Sequence, residues 1–326
     1  MKRTDTELIF LYSENARVKI SDLASSLKKT SQRLKYSVFS LEKAGIVSNP
    51  HCVFDYSYFG LLLFRVYFKG GYVSEKEKSS IIDKLSSSSS VVSIYELTGE
   101  FDLCIEMESF NPSRFNKDLR FLVSLVPTLN NFKIVLNIVT HIYPRLYLIG
   151  RDIPEFSPEI IVGGDRAVES FSMPEFAVMR LLNENARIRI NSLSRQSRIS
   201  IPTVSSIIKN LKERRVIRAF KFVVNCSRLG IFKFRLFLKL HNHGIERESA
   251  LMDFLRDTPE IVQVNKTVGD WDLEIDIESF DKSKIRMITV HLREQFADII
   301  ETFNIMEFFQ YYRKGFLPGH IFEENK

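Results

Sequence analysis

The chain has 326 residues, of which 44% are hydrophobic and 26% are charged, and these proportions are typical of a folded globular protein. They exclude a chain that is disordered throughout, and only three scattered cysteines exclude a small disulfide scaffold. The formal charge of +6 is compatible with nucleic acid, with an anionic membrane surface or with no charged partner. No apolar run reaches the roughly 18 residues of a membrane span. We therefore expect a cytoplasmic protein without a membrane partner.

The N-terminal part of the sequence predicts three helices followed by a strand. The first helix covers residues 4–14, and Thr30 is of a type that caps the start of a helix. In the helix after it, Leu34, Val38 and Leu41 recur at spacings of four and three residues, so one face is buried and the opposite face is free. Three short helices and a strand form the pattern of a winged helix-turn-helix.

The following part of the sequence changes to the alternation that is typical of strands. A strand, a helix, two strands, a second helix and a last strand are predicted in that order. The strands cover 62–69, 91–97, 104–108 and 132–141, and the second helix covers 112–125. The order βαββαβ predicts a ferredoxin-like sandwich.

The chain then repeats itself. Residues 11–110 align without a gap with residues 181–280, at a constant offset of 170. The run Glu14–Arg17 matches Glu184–Arg187 identically, and Gly99 matches Gly269. One long repeat indicates a duplicated module, which forms a pseudo-dimer within a single chain.

Residues that interrupt helices and strands separate the two copies. From residue 143 to 172 the periodicity lapses among prolines and glycines, which indicates a linker. We predict an α+β fold of two tandem copies of a winged helix-turn-helix domain followed by a ferredoxin-like βαββαβ domain. The predicted domains are 1–58 (helix-turn-helix 1), 59–142 (ferredoxin-like 1), 143–172 (linker), 173–228 (helix-turn-helix 2) and 229–326 (ferredoxin-like 2 with a C-terminal tail).

The positive charge is concentrated in the two helix-turn-helix segments. Residues 1–60 contain nine Lys and Arg against six Asp and Glu, and residues 171–230 contain twelve against three. The two remaining parts of the chain are acidic, with net charges of −2 and −4. A basic run is most often a solvated face, but here it coincides with the motif that would meet phosphate, and this favours a DNA-binding protein.

These motifs resemble the leucine-responsive regulatory protein (Lrp/AsnC) family of transcription regulators. The second copy has LLNENARIRI, the run Ser200–Val204 and then Val216–Ile217, and the first has SENARVKI, Thr30 and Gly45–Val47. The resemblance implies ferredoxin-like domains that pair, assemble further and bind small effectors such as amino acids. It also implies that one fused chain corresponds to one family dimer, with double-stranded DNA as its partner.

The resemblance implies DNA contacts at the start of each third helix, and the two copies differ there. Copy one offers Ser31, Gln32, Arg33, Lys35 and Tyr36, and copy two offers Pro202, Thr203, Ser205, Ser206 and Lys209; the basic residues Arg198, Arg214, Arg215 and Arg218 complete the predicted set. Because Gln and Arg can make bidentate base contacts and Ser and Thr are less specific, we expect a non-palindromic site with half-sites roughly 34 Å apart. Arg215 stands where the family has a glycine that ends the helix.

Two G-x-x-D turns are the predicted effector region. In one interpretation glycine and aspartate only shape a tight hairpin, and in the other the turns bind an effector, as the family resemblance implies. The residues concerned are Gly99, Glu100, Asp102, Gly269, Asp270 and Asp272. The neighbouring Phe101 and Trp271 are expected to pack inside the fold.

Nothing in the sequence points to an enzyme, a cofactor or a metal site. The run His241–His243 lacks a further ligand at a fitting spacing, and no P-loop, HExxH or nucleophile motif occurs. The acidic pairs Glu106/Glu108 and Asp276/Glu278 are expected to face solvent.

Two other functions compete with the DNA-binding interpretation. Siroheme decarboxylases share the predicted architecture and occur as fused pairs, but their His-Asn-Tyr run is missing from 91–95 and 261–265. A protein-interaction module, in which the basic faces meet acidic partners, is the other alternative.

Overall fold

The computed structural model describes residues 5–72, 74–150, 159–241 and 244–323. Its first half begins with three helices and a strand and continues in the order β-α-β-β-α-β. The elements are α1 (Thr6–Glu14), α2 (Ile20–Ser26), α3 (Ser31–Lys43), β1 (Val47–Phe54), β2 (Leu62–Phe68), α4 (Glu75–Ser86), β3 (Val91–Thr98), β4 (Leu103–Ser109), α5 (Pro112–Leu125) and β5 (Phe132–Ile142).

The second half has the same order of elements after one additional strand. That strand, β6 (Ile160–Gly163), lies in the segment that the sequence predicts as a linker and pairs with the end of β5. The other elements are α6 (Met173–Glu184), α7 (Ile190–Ser197), α8 (Ile201–Glu213), β7 (Ile217–Val224), β8 (Phe232–Leu240), α9 (Ile245–Asp257), β9 (Ile261–Val268), β10 (Leu273–Ser279), α10 (Lys282–Gln295) and β11 (Ile300–Arg313).

The third helix of each copy begins and packs as its sequence predicts. The Thr30 hydroxyl accepts a hydrogen bond from the backbone N–H of Arg33, and the Ser200 hydroxyl accepts one from Thr203, so both helices have a side-chain cap. Three apolar residues of each helix are buried against the preceding helices: Leu34, Val38 and Leu41 in α3, and Val204, Ile208 and Leu211 in α8. The opposite face of each helix is left to solvent.

The two three-helix units are joined through their strands. β1 and β7 pair antiparallel in a two-stranded ribbon, with Cys52 opposite Phe220. The Arg17 guanidinium donates hydrogen bonds of 2.8 and 2.9 Å to the carbonyl oxygens of Ala186 and Ile188. Because β1 follows α3 directly and β7 follows α8, the ribbon fixes the relative position of the two third helices.

The remaining strands form a closed barrel. The sheet order is β2-β4-β3-β11-β8-β10-β9-β5-β6, and an additional pairing of β2 with β5 closes a ring of eight strands. Each copy contributes four of these strands, and the two copies meet where β11 pairs with β3 and where β5 pairs with β9. The apolar residues on the outer face of the barrel pack under α4 and α5 in copy one and under α9 and α10 in copy two.

The interior of the barrel is polar as well as aromatic. Tyr67, Tyr95 and Trp271 are buried there, together with two arginines at equivalent repeat positions, Arg65 (1% exposed) and Arg235 (0% exposed). The acidic pairs that the sequence predicts to be solvent-facing lie here too. That prediction was wrong: Glu106, Glu108, Asp276 and Glu278 are at most 3% exposed.

Alternation along a strand explains this error. Residues i and i+2 share a face whether that face meets water or a polar interior, so the pattern alone does not distinguish the two cases. Arg65 donates to Glu106 at 3.0 Å, and Arg235 donates to both carboxylate oxygens of Asp276, at 2.6 and 3.0 Å. Glu106 and Asp276 therefore each have a buried guanidinium partner.

Candidate nucleic-acid interface and ligand-binding regions

The exposed side of α3 carries the residues predicted to contact DNA in copy one. The positions are polar or aromatic, and every one is exposed: Ser31, Gln32, Arg33, Lys35 and Tyr36. Tyr36 is 76% exposed and Phe39, one turn further on, is 60% exposed. Large aromatic side chains this far out in solvent, on the free face of a capped helix, form a surface that is available to a partner.

The corresponding side of α8 is chemically different. Pro202, Thr203, Ser206 and Lys209 are exposed, and Ser205 is half-buried. Pro202 lies in the first turn, where a proline removes no helical hydrogen bond. The structure thus places the two predicted sets at equivalent positions of two equivalent helices, with different chemistry.

The end of α8 shows how Arg215 replaces the family glycine. In copy one the residue after α3 is Ala44, and Gly45 follows it with φ +63°. In copy two Arg214 follows α8, and Arg215 adopts φ +62°. The helix therefore ends in the same left-handed turn, and an arginine accepts a conformation that costs a non-glycine residue about 1 kcal/mol.

Two of the predicted basic contacts, Arg214 and Arg218, are half-buried. Arg214 donates to Glu169 at 2.9 Å and to Glu175 at 2.6 Å, which ties the end of α8 to the segment before α6 and to the first turn of α6. Arg218 is half-buried, and its Nη1 has no hydrogen-bond partner among the described residues. Arg198 and Arg215 are exposed, so they are the two members of the predicted phosphate-contacting group that face solvent fully.

The two G-x-x-D turns lie next to each other at one edge of the barrel. The Lys133 ammonium is 2.9 Å from the Asp270 carboxylate and 3.6 Å from that of Glu100, so it bridges the turns. Gly99 and Gly269 have φ values of +145° and +153°, which favour glycine.

The aspartates of these turns accept hydrogen bonds from backbone N–H groups at the ends of the neighbouring strands β8 and β2. Asp272 accepts a hydrogen bond of 2.7 Å from the backbone N–H of Leu240, and Asp102 accepts one from Gly70. Phe101 and Trp271 are buried, as expected. Both donors to the aspartates lie outside the G-x-x-D turns themselves, at or just after the end of the adjacent strand.

A basic cavity that the sequence analysis missed lies between the ribbon and the barrel. Its volume is about 80 Å³, and its polar wall contains Arg145, Lys221, Lys233, Lys314 and His51. Burial, together with the nearby cations of Lys314, Lys221 and Arg145, lowers the pKa of His51 to about 3. The available signal was the presence of basic residues within largely apolar strands, as with Lys221 in β7 and Lys233 in β8.

A metal ion requires several ligating side chains arranged around it. No group of three or more His, Cys, Asp or Glu side chains within the described ranges could hold a metal ion. Asn242 and His243 of the predicted run lie outside the described residues. No helix among the described residues is long and apolar enough to cross a membrane.

Comparison with known sequences identifies regulators of transcription. Residues 175–218 match the family model described as winged helix-turn-helix DNA-binding. The HTH-type transcriptional regulator Ptr1 of Methanocaldococcus jannaschii is 32% identical over 113 residues, which cover 33% of this chain and 75% of that protein. The HTH-type transcriptional regulator FL11 of Pyrococcus furiosus is 28% identical over 110 residues, which cover 33% of this chain and 70% of that protein.

Comparison with solved structures identifies a protein of similar fold along the whole chain. The siroheme decarboxylase NirDL superposes with a TM-score of 0.55 over 98% of this chain and 97% of its own. The sequence identity is 13%, so the likeness concerns the fold. NirDL has also been solved in co-complex with an iron-uroporphyrin III analogue.

Proposed function

Since the chain belongs to the Lrp/AsnC family of HTH-type transcriptional regulators, we propose that it is a sequence-specific DNA-binding regulator that acts as a single-chain pseudo-dimer. In this proposal the two three-helix units are winged helix-turn-helix domains, the two barrel halves are ferredoxin-like domains, and the pair arose by tandem duplication. The partner is double-stranded DNA. The observation that carries the proposal is the pair of capped third helices, each with a free polar face, held by one ribbon.

The charge distribution supports this proposal. The excess of Lys and Arg lies in residues 1–60 and 171–230, which contain both three-helix units. The basic residues Arg33, Lys35, Arg198, Lys209 and Arg215 are exposed. Exposed cations around a helix that can enter the major groove attract phosphate and position the helix.

Two further features of the family are proposed for this chain. The barrel is a platform through which pseudo-dimers associate further, and a small-molecule effector modulates DNA binding. The predicted effector turns at Gly99–Asp102 and Gly269–Asp272 are one location for such an effector, although their aspartates already bind backbone N–H groups.

A salt titration of DNA binding tests the proposed function. A chain that neutralises six to ten phosphates loses on the order of 10³ to 10⁵ in affinity between 50 and 200 mM salt. Binding to a selected site should also survive an excess of unrelated competitor DNA. A salt-independent interaction, or capture of acidic proteins in place of DNA, would favour the protein-interaction alternative.

A second candidate function is tetrapyrrole chemistry like that of siroheme decarboxylase. It is favoured by the correspondence with NirDL across both copies. Titration with siroheme, followed by the shift of its Soret band, is the test, and tight one-to-one binding would replace the regulator proposal. The His-Asn-Tyr run of the siroheme decarboxylases is missing from 91–95 and 261–265, which argues against this candidate.

A further inference from the structure

The basic cavity described above lies where the ribbon meets the barrel. Its walls come from β1 and β7 of the ribbon on one side, and from β8, β9 and β11 of the barrel on the other. Tyr143 and Arg145, just after β5, close one end of the cavity. The ribbon carries both third helices, so the contents of this cavity lie between the proposed DNA-reading units and the platform.

The lining of the cavity is cationic without an acidic counterpart. Four cationic side chains line it, and no Asp or Glu of the described residues does. The carboxylates that pair with these cations stand behind them: Lys221 pairs with Glu14, Lys314 lies 3.1 Å from Glu106, and Lys233 lies 3.2 Å from Glu278. The low pKa of His51 reflects the same positive field in addition to burial.

Two ammonium groups on opposite walls retain donors for a ligand. Lys221 is on β7 of the ribbon, and Lys314 follows β11 of the barrel. Within the described residues each ammonium forms a hydrogen bond to one carboxylate, whereas an ammonium group has three donors. Aromatic rings of Tyr311 and Phe316 pack against Lys314 and hold its position.

Size and charge together define the ligand class. A buried water needs roughly 10 to 15 Å³ of such space, so a cavity of about 80 Å³ holds a molecule of several heavy atoms. A zwitterionic amino acid would place its ammonium group among cations, with no lining carboxylate to receive it. A small dianion would instead place one acidic group at each wall.

We propose that this cavity binds a small organic dicarboxylate, with Lys221 and Lys314 each binding one carboxylate group. The ligand clamps the ribbon onto the barrel and thereby restrains the two third helices. The inference that a dicarboxylate binds is drawn from the cavity alone. The inferred effect of this ligand on DNA binding rests on the proposed function.

Calorimetric titration of the full chain with succinate and 2-oxoglutarate tests the site without DNA. We expect saturable one-to-one binding of at least one of the two, and no comparable binding of alanine or inorganic phosphate. The Lys314→Met change should weaken binding on the order of tenfold or more, because a charge-assisted hydrogen bond is lost. The matched control Lys117→Met, at an exposed position of α5, should leave the affinity unchanged. Lys133→Met, at the G-x-x-D turns, tests whether the ligand binds there instead.

A second variant and a spectroscopic measurement test the site independently, in case Lys314→Met does not fold. Ser48→Phe fills the cavity from β1 without removing a charge, and it should abolish binding. A bound dianion should raise the pKa of His51 in an NMR titration. No binding of either dicarboxylate, equal binding of alanine or phosphate, or loss of binding in Lys133→Met alone would overturn the site.

Measuring DNA affinity with and without the bound dicarboxylate separates the two proposals. A change in affinity that Lys314→Met removes supports the clamp. Dicarboxylate binding with unchanged DNA affinity would overturn the clamp but not the site. Dicarboxylate binding by a chain that binds no DNA at all would overturn the proposed function but not the site.

Discussion

At the scale of single residues, Glu108 and Glu278 illustrate how one repeat position can have two environments. Both are buried at the same place in β4 and β10. Glu278 accepts from Arg145 at 2.9 Å and lies 3.2 Å from Lys233, and although burial opposes its charge, these cations lower its pKa to about 2. The Oε2 of Glu108 has no partner among the described residues, and burial and the nearby Glu106 raise the pKa of Glu108 well above the ordinary value.

We predict that Glu108→Gln stabilises the protein at neutral pH. The folded state retains the Glu108 proton to a higher pH than the unfolded state, which releases it above about pH 4.5, because burial and Glu106 raise the pKa of the folded carboxyl. The wild type therefore loses roughly 1.4 kcal/mol for each further pH unit until the folded-state pKa is reached, and a glutamine avoids this loss. Urea unfolding at pH 4, 6 and 8 measures the difference, which should grow with pH.

The matched change Glu278→Gln should have the opposite sign. It removes one of two carboxylates from each of Arg145 and Lys233, which keep Glu14 at 3.4 Å and Asp276 at 3.3 Å. Breaking a buried pair costs about 3 to 5 kcal/mol, and because these partners remain, the loss should lie at the lower end of that range. Because the folded-state pKa of Glu278 is about 2, its contribution is complete above the unfolded pKa and disappears as the pH falls towards 2. Equal destabilisation by both variants at pH 8 would contradict the assignment of Glu108.

At the scale of elements, periodicity and capping residues predicted most helices and strands to within a few residues. Thr30 and Ser200 cap their helices as expected, and α5 covers Pro112–Leu125, the predicted range. The strand β6 was missed because its four residues lie among glycines and prolines and are stabilised by pairing with β5. Such pairing is a tertiary contact that local sequence does not encode.

At the end of α8, the backbone conformation of Arg215 lowers stability while its side chain is available to contact DNA. Arg215 keeps a left-handed conformation that glycine adopts in copy one, and it is exposed beside the proposed DNA-reading face. We predict that Arg215→Gly raises the free energy of unfolding by up to about 1 kcal/mol, partly offset by the greater freedom of glycine in the unfolded state. Affinity for all DNA sequences should fall, with a salt slope shallower by about 1.

Arg215→Ala is the control for this prediction. It removes the charge and keeps the backbone strain, so DNA affinity should fall as in Arg215→Gly without any gain in stability. Unchanged DNA affinity in both variants would show that Arg215 contacts no phosphate.

The first turns of α3 and α8 predict unequal half-sites. Arg33 is exposed at the start of α3, and Thr203 occupies the equivalent position of α8. Arg33→Ala should relax base preference in one half-site by about 1 to 3 kcal/mol and leave the other unchanged. Binding measurements on a library of single-base variants report this directly, and equal relaxation in both halves would contradict separate reading.

At the scale of the whole molecule, the centre of the barrel is not symmetric between the two halves of the chain. Glu274 lies 3.2 Å from Arg65 and 3.7 Å from Arg235, so one carboxylate serves the buried arginines of both copies. Cys104 occupies the equivalent position in copy one. A homodimer has the same residue at both positions, whereas a single chain with two similar halves can keep one carboxylate between two guanidinium groups.

The repeat and the charge distribution were visible in the sequence, but the barrel interior and the basic cavity were not. Both lie at contacts between the copies, where β11 meets β3 and the ribbon meets the barrel. Arg65 and Arg235, at equivalent positions of two apolar strands, were the strongest signal for a polar interior. Their partners Asp276, Glu106 and Glu274 depend on strand pairing, which the repeat alone does not specify.

The most direct test of the central claim is selection of binding sites from a random duplex pool with the full chain. Two chemically different third helices on one rigid ribbon predict a bipartite site with dissimilar halves roughly 34 Å apart. Enrichment of such a non-palindromic site is the expected result. A perfect palindrome would contradict the two distinct readers, and no enrichment at all would contradict sequence-specific DNA binding.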